Sequence, residues 1–339
     1  MRMRWVMAAM LVAAMGCAVA GAEKKPKTDL QKPMAGPRAA TLRVTVLYVA
    51  PDKQSQKVDR VQPGREMVVA EKSGPWIRVY ANTDVEQMQD QRDMPLMGSE
   101  DENQPPVSGW MEAKGVVVET TANGDRILMG EAANQEALAQ DPRGPVNAAQ
   151  TARLLYRRLV EMFPNSPMVA EAAWRTADIQ WQIEKADQAT RSSAREKEAY
   201  LREGMNEDEL KKVIKKYPQT RQADLAAFDL IDNKLCGDWQ GSTKCPEKES
   251  ELYEKYAAEH PDSPRAAQAL YLAVYRQAVL TDMYAADENE KRSAAAHAHA
   301  SELAAKLKDK HPTTEYSWRA GTLVYKLDEG IPVYGIDRD

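Results

Sequence analysis

The chain has 339 residues, of which 46 are lysine or arginine and 51 are aspartate or glutamate, giving a formal net charge of -5. Single hydrophobic cores usually stop growing at about 250 residues, so this length predicts more than one domain. An acidic chain lacks the basic face that nucleic-acid binding requires, which excludes nucleic acid as the expected partner.

The first 22 residues have the layout of a secretory signal. Arg2 and Arg4 precede an apolar run from Trp5 to Met15, and small residues follow it. The run is shorter than the roughly 20 residues that a membrane-spanning helix needs. We therefore expect residues 1–22 to be a signal peptide and the protein to be exported, either periplasmic or anchored to the outer membrane.

Two processing sites are open alternatives. Ala20-Gly21-Ala22 fits an ordinary signal peptidase, whereas Ala14-Met15-Gly16-Cys17 resembles a lipoprotein box in which Cys17 carries the lipid. A lipid on Cys17 is the only membrane contact that we expect. Residues 23–40, which are locally basic and contain prolines, are predicted to be a flexible tether.

Short β-branched runs separated by Gly and Pro turns follow over residues 41–119. Many short strands at this spacing predict a small barrel. The expected strands are 41–49, 58–61, 66–70, 76–80, 109–111 and 116–118. An acidic segment, 82–108, interrupts them, and its composition is typical of a solvated loop. A docking segment for a basic partner is the alternative.

The motifs LYVAPD, VQPGREMVVAEKSGPWIRVY and SGWMEAKGVV in this region resemble the bacterial SH3-like (SH3b) domain. Two features depart from the family: Val49-Ala50 replaces the usual Arg-Ser pair, and the acidic segment replaces a short hairpin. The resemblance implies contact with a cell-wall peptide or a protein segment. Tyr48, Trp76 and Tyr80 could line an aromatic groove or belong to the core, and Trp110 is expected in the core.

From residue 146 to 328 the chain repeats a helix, an aromatic-Pro pair, a polar cap and a second helix, after a linker (120–145) with a short helix. Each repeat has an Ala eight places after the proline and apolar residues eight and five places before it. Ser166, Ser263, Thr220 and Thr314 are expected to cap the second helices, with Pro167 and Pro264 at the first helical position. The register prolines are Pro164, Pro218, Pro261 and Pro312.

This pattern resembles divergent tetratricopeptide (TPR) repeats, most closely those of periplasmic outer-membrane-assembly lipoproteins of the BamD type. The prolines are 54, 43 and 51 residues apart, against about 34 in a regular repeat. The expected architecture is therefore a multi-domain chain: a small all-β SH3-like barrel, then an all-α helical-repeat solenoid with long helices and irregular loops, and a tail at 329–339.

Cys236 and Cys245 flank a short loop and predict a disulfide in an oxidising compartment. A redox or metal site is the alternative, although the pair lacks CxxC spacing and has no nearby His. His260 and His311 fill a repeat position, and His297 and His299 point away from each other on a helix. No catalytic signature appears and no carboxyl pair is expected to have a raised pKa, so we predict no enzyme, cofactor or metal.

The sequence thus predicts an exported, non-enzymatic scaffold or adaptor of the cell envelope. Its helical repeats would bind envelope proteins or peptides, and its SH3-like domain a wall peptide or a protein segment. Among the helical aromatics, Trp181 and Tyr275 are the predicted exposed contacts. The alternative is a peptidoglycan-binding or wall-hydrolase-regulating protein whose helices only space or oligomerise the barrel.

Overall fold

The structure, a computed structural model, describes residues 35–84 and 106–335. The predicted signal peptide, Cys17, the tether up to residue 34 and most of the acidic segment lie outside the described residues. The last four residues of the chain also lie outside them.

The first part of the structure is an antiparallel sheet of seven strands in the order β3-β2-β6-β5-β4-β1-β7. Strand β4 changes register opposite β5 between Val69 and Glu71, and such a bulge bends a strand. The strands are β1 Arg38–Thr41, β2 Thr45–Tyr48, β3 Lys57–Val61, β4 Glu66–Ser73, β5 Trp76–Ala81, β6 Val107–Glu112 and β7 Val116–Val118.

Strand β1 corrects the predicted boundary between tether and sheet. The sequence predicted one strand from 41 to 49, but the chain forms two, and the first begins at Arg38. Ala39 and Ala40 are fully buried, and β1 pairs with both β4 and β7. Residues 38–40 therefore belong to the sheet and not to the tether, because their backbone pairs with a strand on each side.

One face of the sheet is apolar and buried. In β5, Ile77, Val79 and Ala81 point inward while the alternate residues point outward, as the period of a strand requires. Leu47 and Met67 join the same core from β2 and β4. The predicted β region is confirmed.

Nine α-helices, joined by turns and loops, follow β7 within the described residues. The predicted β region followed by a helical region is therefore confirmed. The helices are α1 Gly124–Gln140, α2 Ala148–Met162, α3 Val169–Thr190, α4 Asp208–Lys216, α5 Arg221–Asp229, α6 Lys244–Glu259, α7 Ala266–Ala286, α8 Glu290–Lys310 and α9 Glu315–Asp328.

Helix α1 is longer and better packed than the predicted linker helix. It has 17 residues and buries Leu128 and Ala132 against α2 and β7. Its first residue is Gly124, where a Cβ atom would lie 2.4 Å from the Phe163 ring. The segment is therefore part of the helical core, because a glycine lets the ring of the next hairpin approach its start.

The four prolines mark one recurring turn. The residues just before them, Phe163, Tyr217, His260 and His311, all end a helix with φ between -135° and -125° and ψ between 54° and 59°. Each donates its backbone N–H to the carbonyl four residues earlier. The Ala residues eight places after the prolines are all fully buried, as predicted: Ala172, Ala226, Ala269 and Ala320.

The predicted helix caps are confirmed in two of four repeats. Thr220 and Thr314 accept the backbone N–H of the third residue after them at the start of α5 and α9. Ser166 and Ser263 instead accept the N–H two residues later, and α3 and α7 begin one residue further on. Pro167 and Pro264 thus precede their helices, because each serine closes a turn before the helix starts.

The predicted disulfide is confirmed: Cys236 and Cys245 are bonded, with 5.9 Å between their Cα atoms. The loop between them is held by Glu249, whose carboxylate accepts the Cys236 N–H at 3.0 Å and the Trp239 indole N–H at 3.1 Å. Its other oxygen accepts from the fully buried Arg276 at 3.1 Å. The disulfide loop therefore sits on a buried ion pair.

The sheet is joined to the helices by a buried network of charges, which we call the junction network. Arg158 of α2 places its guanidinium 3.5 Å from Asp84 and 2.8 Å from Glu161. Asp84 also lies 3.2 Å from Arg65. The side chains of Arg65, Asp84 and Arg158 are almost completely excluded from solvent, whereas that of Glu161 is partly exposed. Buried charges require such partners, so the network fixes α2 on the sheet.

Candidate functional site

A groove opens between α2, α3 and α4, the first two hairpins of the helical part, with a volume of about 220 Å³. Apolar and charged side chains both line it. The lining residues are Arg157, Val160, Glu161, Ala173, Thr176, Glu209, Lys212, Val213, Lys216 and Tyr217. We refer to this site as the groove.

The acidic residues of the groove are already engaged within the protein. Glu161 pairs with Arg157 at 2.9 Å, with Arg158 at 2.8 Å and with Arg38 at 2.8 Å. Burial alone would raise the pKa of the Glu161 carboxyl, but these three arginines outweigh burial and lower it. Glu209 lies 3.2 Å from Arg153. The negative charge of the groove is therefore neutralised.

The lysines of the groove are not neutralised in this way. Lys212 and Lys216 are exposed, and no carboxylate of the described residues lies within ion-pairing distance of either amine. The Lys216 amine lies 5.4 Å from the centre of the Tyr217 ring. The Tyr217 hydroxyl is buried and has no hydrogen-bond partner among the described residues. The groove thus offers the positive charge of two lysines to a ligand.

A second candidate surface is the outer face of the sheet, which we call the aromatic face. Tyr48 lies opposite Trp110, which lies opposite Arg78, so the three side chains share one face. Trp76 and Tyr80 flank Arg78 on that same face, and the Tyr48 and Trp76 rings meet edge to face at 5.7 Å. The structure therefore places Tyr48, Trp76 and Tyr80 on one face of the sheet, and the first two are in ring contact.

The prediction that Trp110 belongs to the core is wrong. Its neighbours Gly109 and Met111 are buried, and strand alternation turns Trp110 to the outer face, where it is half-buried. An aromatic residue between two inward-facing positions has no access to the core, whatever its size.

The two predicted helical contacts, Trp181 and Tyr275, are buried and not exposed. Trp181 is 1% exposed, packs under the connection that contains Met205, and donates its indole N–H to Asp232 at 3.3 Å. Tyr275 is covered by the C-terminal segment and donates its hydroxyl to the Tyr334 carbonyl at 2.7 Å. Both were mispredicted because segments distant in sequence fold over them.

The expectation that no carboxyl pair has a raised pKa is also wrong. Burial, and then repulsion from Asp178, raise the pKa of Asp229 to about 7, although Asp229 accepts the Trp174 indole N–H at 3.3 Å. Burial likewise raises the pKa of Asp178. The two residues come together only when α3 packs on α5, and neither lines the groove.

Replacing Asp229 with asparagine is expected to stabilise the protein at pH 8. Between about pH 4, the ordinary aspartate pKa, and pH 7, the folded chain retains a proton that the unfolded chain releases, so the stability of the native chain falls as pH rises. Asparagine cannot ionise and can still accept the Trp174 N–H. We expect a gain of about 1–2 kcal/mol at pH 8 that vanishes near pH 4.

Urea unfolding of D229N at both pH values measures this difference. The exposed Asp309 provides a control, since D309N should leave the pH dependence unchanged. An equal effect of D229N at pH 4 and pH 8 would contradict the assignment.

Three of the four histidines contact a carboxylate, and the fourth, His311, is the residue at which α8 ends. His260 contacts Asp224 at 2.8 Å, His297 contacts Asp328 at 3.0 Å and His299 contacts Glu254 at 3.1 Å. His297 and His299 therefore point to different neighbouring helices, as predicted. The described residues contain no group of three or more His, Cys, Asp or Glu side chains arranged to hold a metal ion.

Sequence reasoning missed the groove. Its signal was present in the run KKVIKK, where helical spacing puts Lys212 and Lys216 on the same side of α4.

Among helices of the described chain, none is both long and apolar enough to span a bilayer. The chain matches no protein-family model and no curated protein.

Proposed function

We propose that the protein is an exported, non-enzymatic scaffold of the cell envelope that binds a segment of a partner protein in the groove. In this proposal the sheet is an SH3-like barrel and the helices are a TPR-like array, located in the periplasm or held at the outer membrane by a lipid. The observation that carries it is the open groove with uncommitted cations between consecutive hairpins.

Several features support a helical array of this kind. Each helix packs mainly against helices close to it in sequence, as in proteins whose stability is a sum over neighbouring repeats. The recurring turn and the buried Ala place successive hairpins in similar ways. The exposed faces of such arrays serve as surfaces for extended peptides, since their recurring positions are used for packing.

A steric block of the groove tests the proposed function. Ala173 lines the groove, so A173F should fill it and abolish recovery of partner proteins from envelope extract by the purified mature chain. The control is A133F, on the exposed side of α1, which should recover the same proteins as the wild type. The full chain is required because the junction network ties the sheet to the helices.

Undiminished recovery by a folded A173F protein would reject the groove as the partner site. Urea unfolding of both variants verifies that they fold.

The alternative is a peptidoglycan-binding or wall-hydrolase-regulating protein, and the aromatic face is the observation that favours it. The half-buried rings of Tyr48, Trp76 and Trp110 lie beside Arg78 on one face of the sheet, and such rings are groups that contact sugars or peptides. Sedimentation with purified sacculi tests it. Retention that depends on Trp76, together with no protein recovered from envelope extract, would favour this alternative over the scaffold.

A further inference from the structure

Some charged side chains of the groove have ion-pair partners within the protein and others do not. This difference indicates the charge of the ligand that the groove can bind. Glu161 and Glu209 are paired with arginines, whereas Lys212 and Lys216 have no carboxylate partner among the described residues. A ligand with negative charge would therefore add the missing partners without displacing an existing ion pair. A basic ligand would meet only carboxylates that are already neutralised.

The spacing of the two lysines limits the geometry of that ligand. Lys212 and Lys216 stand one helical turn apart, so their Cβ atoms are about 6 Å from each other. In an extended peptide, side chains on the same side recur every second residue, at about 6.6 Å. Two acidic residues at alternate positions of an extended segment match the lysine pair, whereas adjacent acidic residues point to opposite sides.

The apolar lining of the groove favours glutamate over aspartate. Val160, Ala173 and Val213 line the same groove as the lysines and present apolar surface there. The two methylene groups of a glutamate can cover this surface while the carboxylate reaches an amine, in the way that long charged side chains bury their stems.

We infer that the groove binds an extended acidic segment of a partner protein, with glutamates at alternate positions that pair with Lys212 and Lys216. This inference rests on the proposed function and adds the chemical class of the ligand. The volume of about 220 Å³ holds a few side chains, so the groove recognises a short segment.

The test measures binding of a fluorescent peptide to the full mature chain by fluorescence anisotropy. The peptide has blocked termini and two glutamates at alternate positions among alanines; a second peptide of the same composition has them adjacent. We expect the peptide with glutamates at alternate positions to bind more tightly than the peptide with adjacent glutamates. Added salt should weaken the binding of the first peptide. Replacing its glutamates with glutamine should weaken binding about tenfold or more.

Variants of one helix provide matched controls. K212A/K216A should weaken binding of the alternate peptide about tenfold, while K211A/K215A removes the same charge from α4 outside the groove and should not. Because all four lysines are exposed, both variants should fold. Equal loss in the two variants, or equal binding of the two peptides, would overturn the inference.

Two further outcomes separate this inference from the proposed function. If A173F abolishes partner recovery but no acidic peptide binds the wild type, the ligand class is wrong and the proposed function stands. If E100Q/D101N/E102Q in the acidic segment raises peptide affinity, the chain's own acidic residues compete for the groove, which overturns the assignment to a partner.

Discussion

Replacing Arg158 with alanine is expected to lower the free energy of unfolding by about 3–5 kcal/mol, because it removes a buried guanidinium that the Asp84, Glu66 and Glu161 carboxylates share. Asp84 and Arg158 are both fully excluded from solvent and lie 3.5 Å apart, and Glu66 lies 3.8 Å from the same guanidinium. Water cannot replace the lost charge at this depth. Urea unfolding of the purified chain measures the effect.

The exposed Arg143 is the control for this substitution. R143A removes the same charge from a turn outside the junction network and should change stability by less than about 0.5 kcal/mol. A similar small effect of R158A would show that the sheet and helices do not depend on these ion pairs.

Replacing Glu249 with alanine is expected to cost a similar amount, about 3–5 kcal/mol. The substitution removes the acceptor of the Cys236 N–H, the Trp239 indole N–H and the Arg276 guanidinium at once. Arg276 is fully buried and would be left as an uncompensated charge. Urea unfolding with the disulfide intact measures the loss.

Glu251 lies on the same helix, is exposed, and provides the matched control. E251A should leave the unfolding midpoint nearly unchanged. If E249A also leaves it unchanged, the ion pair does not support the disulfide loop, and the apolar packing of Trp239 and Tyr253 would have to hold it alone.

The repeat could be predicted from the sequence because its residues contact residues that are nearby in the chain. The apolar positions before each proline, such as Tyr156 and Leu159, are buried, and so is the Ala eight places after it. Each of these residues packs against a helix only a few tens of residues away. A pattern in which neighbours in sequence are neighbours in space can be read without the complete fold.

Exposure of single aromatics could not be read in the same way. The sequence places Trp181 and Tyr275 further along their helices than the repeat positions, which suggested solvent contact. The connection before α4 covers Trp181, and the C-terminal segment covers Tyr275. Whether such a segment folds back depends on contacts between residues far apart in the chain, and no local period encodes them.

The junction network, the raised pKa of Asp229 and the groove have the same origin. Asp84 meets Arg158 across 74 positions because the sheet docks on α2, and Asp178 meets Asp229 because α3 packs on α5. Lys212 and Lys216 face a groove only because α2 and α3 supply its other walls.

The sequence by itself determined the strand and helix content, the recurring turn, the disulfide and the small residues at the close contacts. These follow from backbone preferences and from side-chain periods that act within one or two elements. Only the tertiary structure decided which charges are buried in pairs and which lysines keep their charge available. The physical reason is that solvation and Coulomb interactions depend on distance in space, and a charge finds its partner only after the chain has folded.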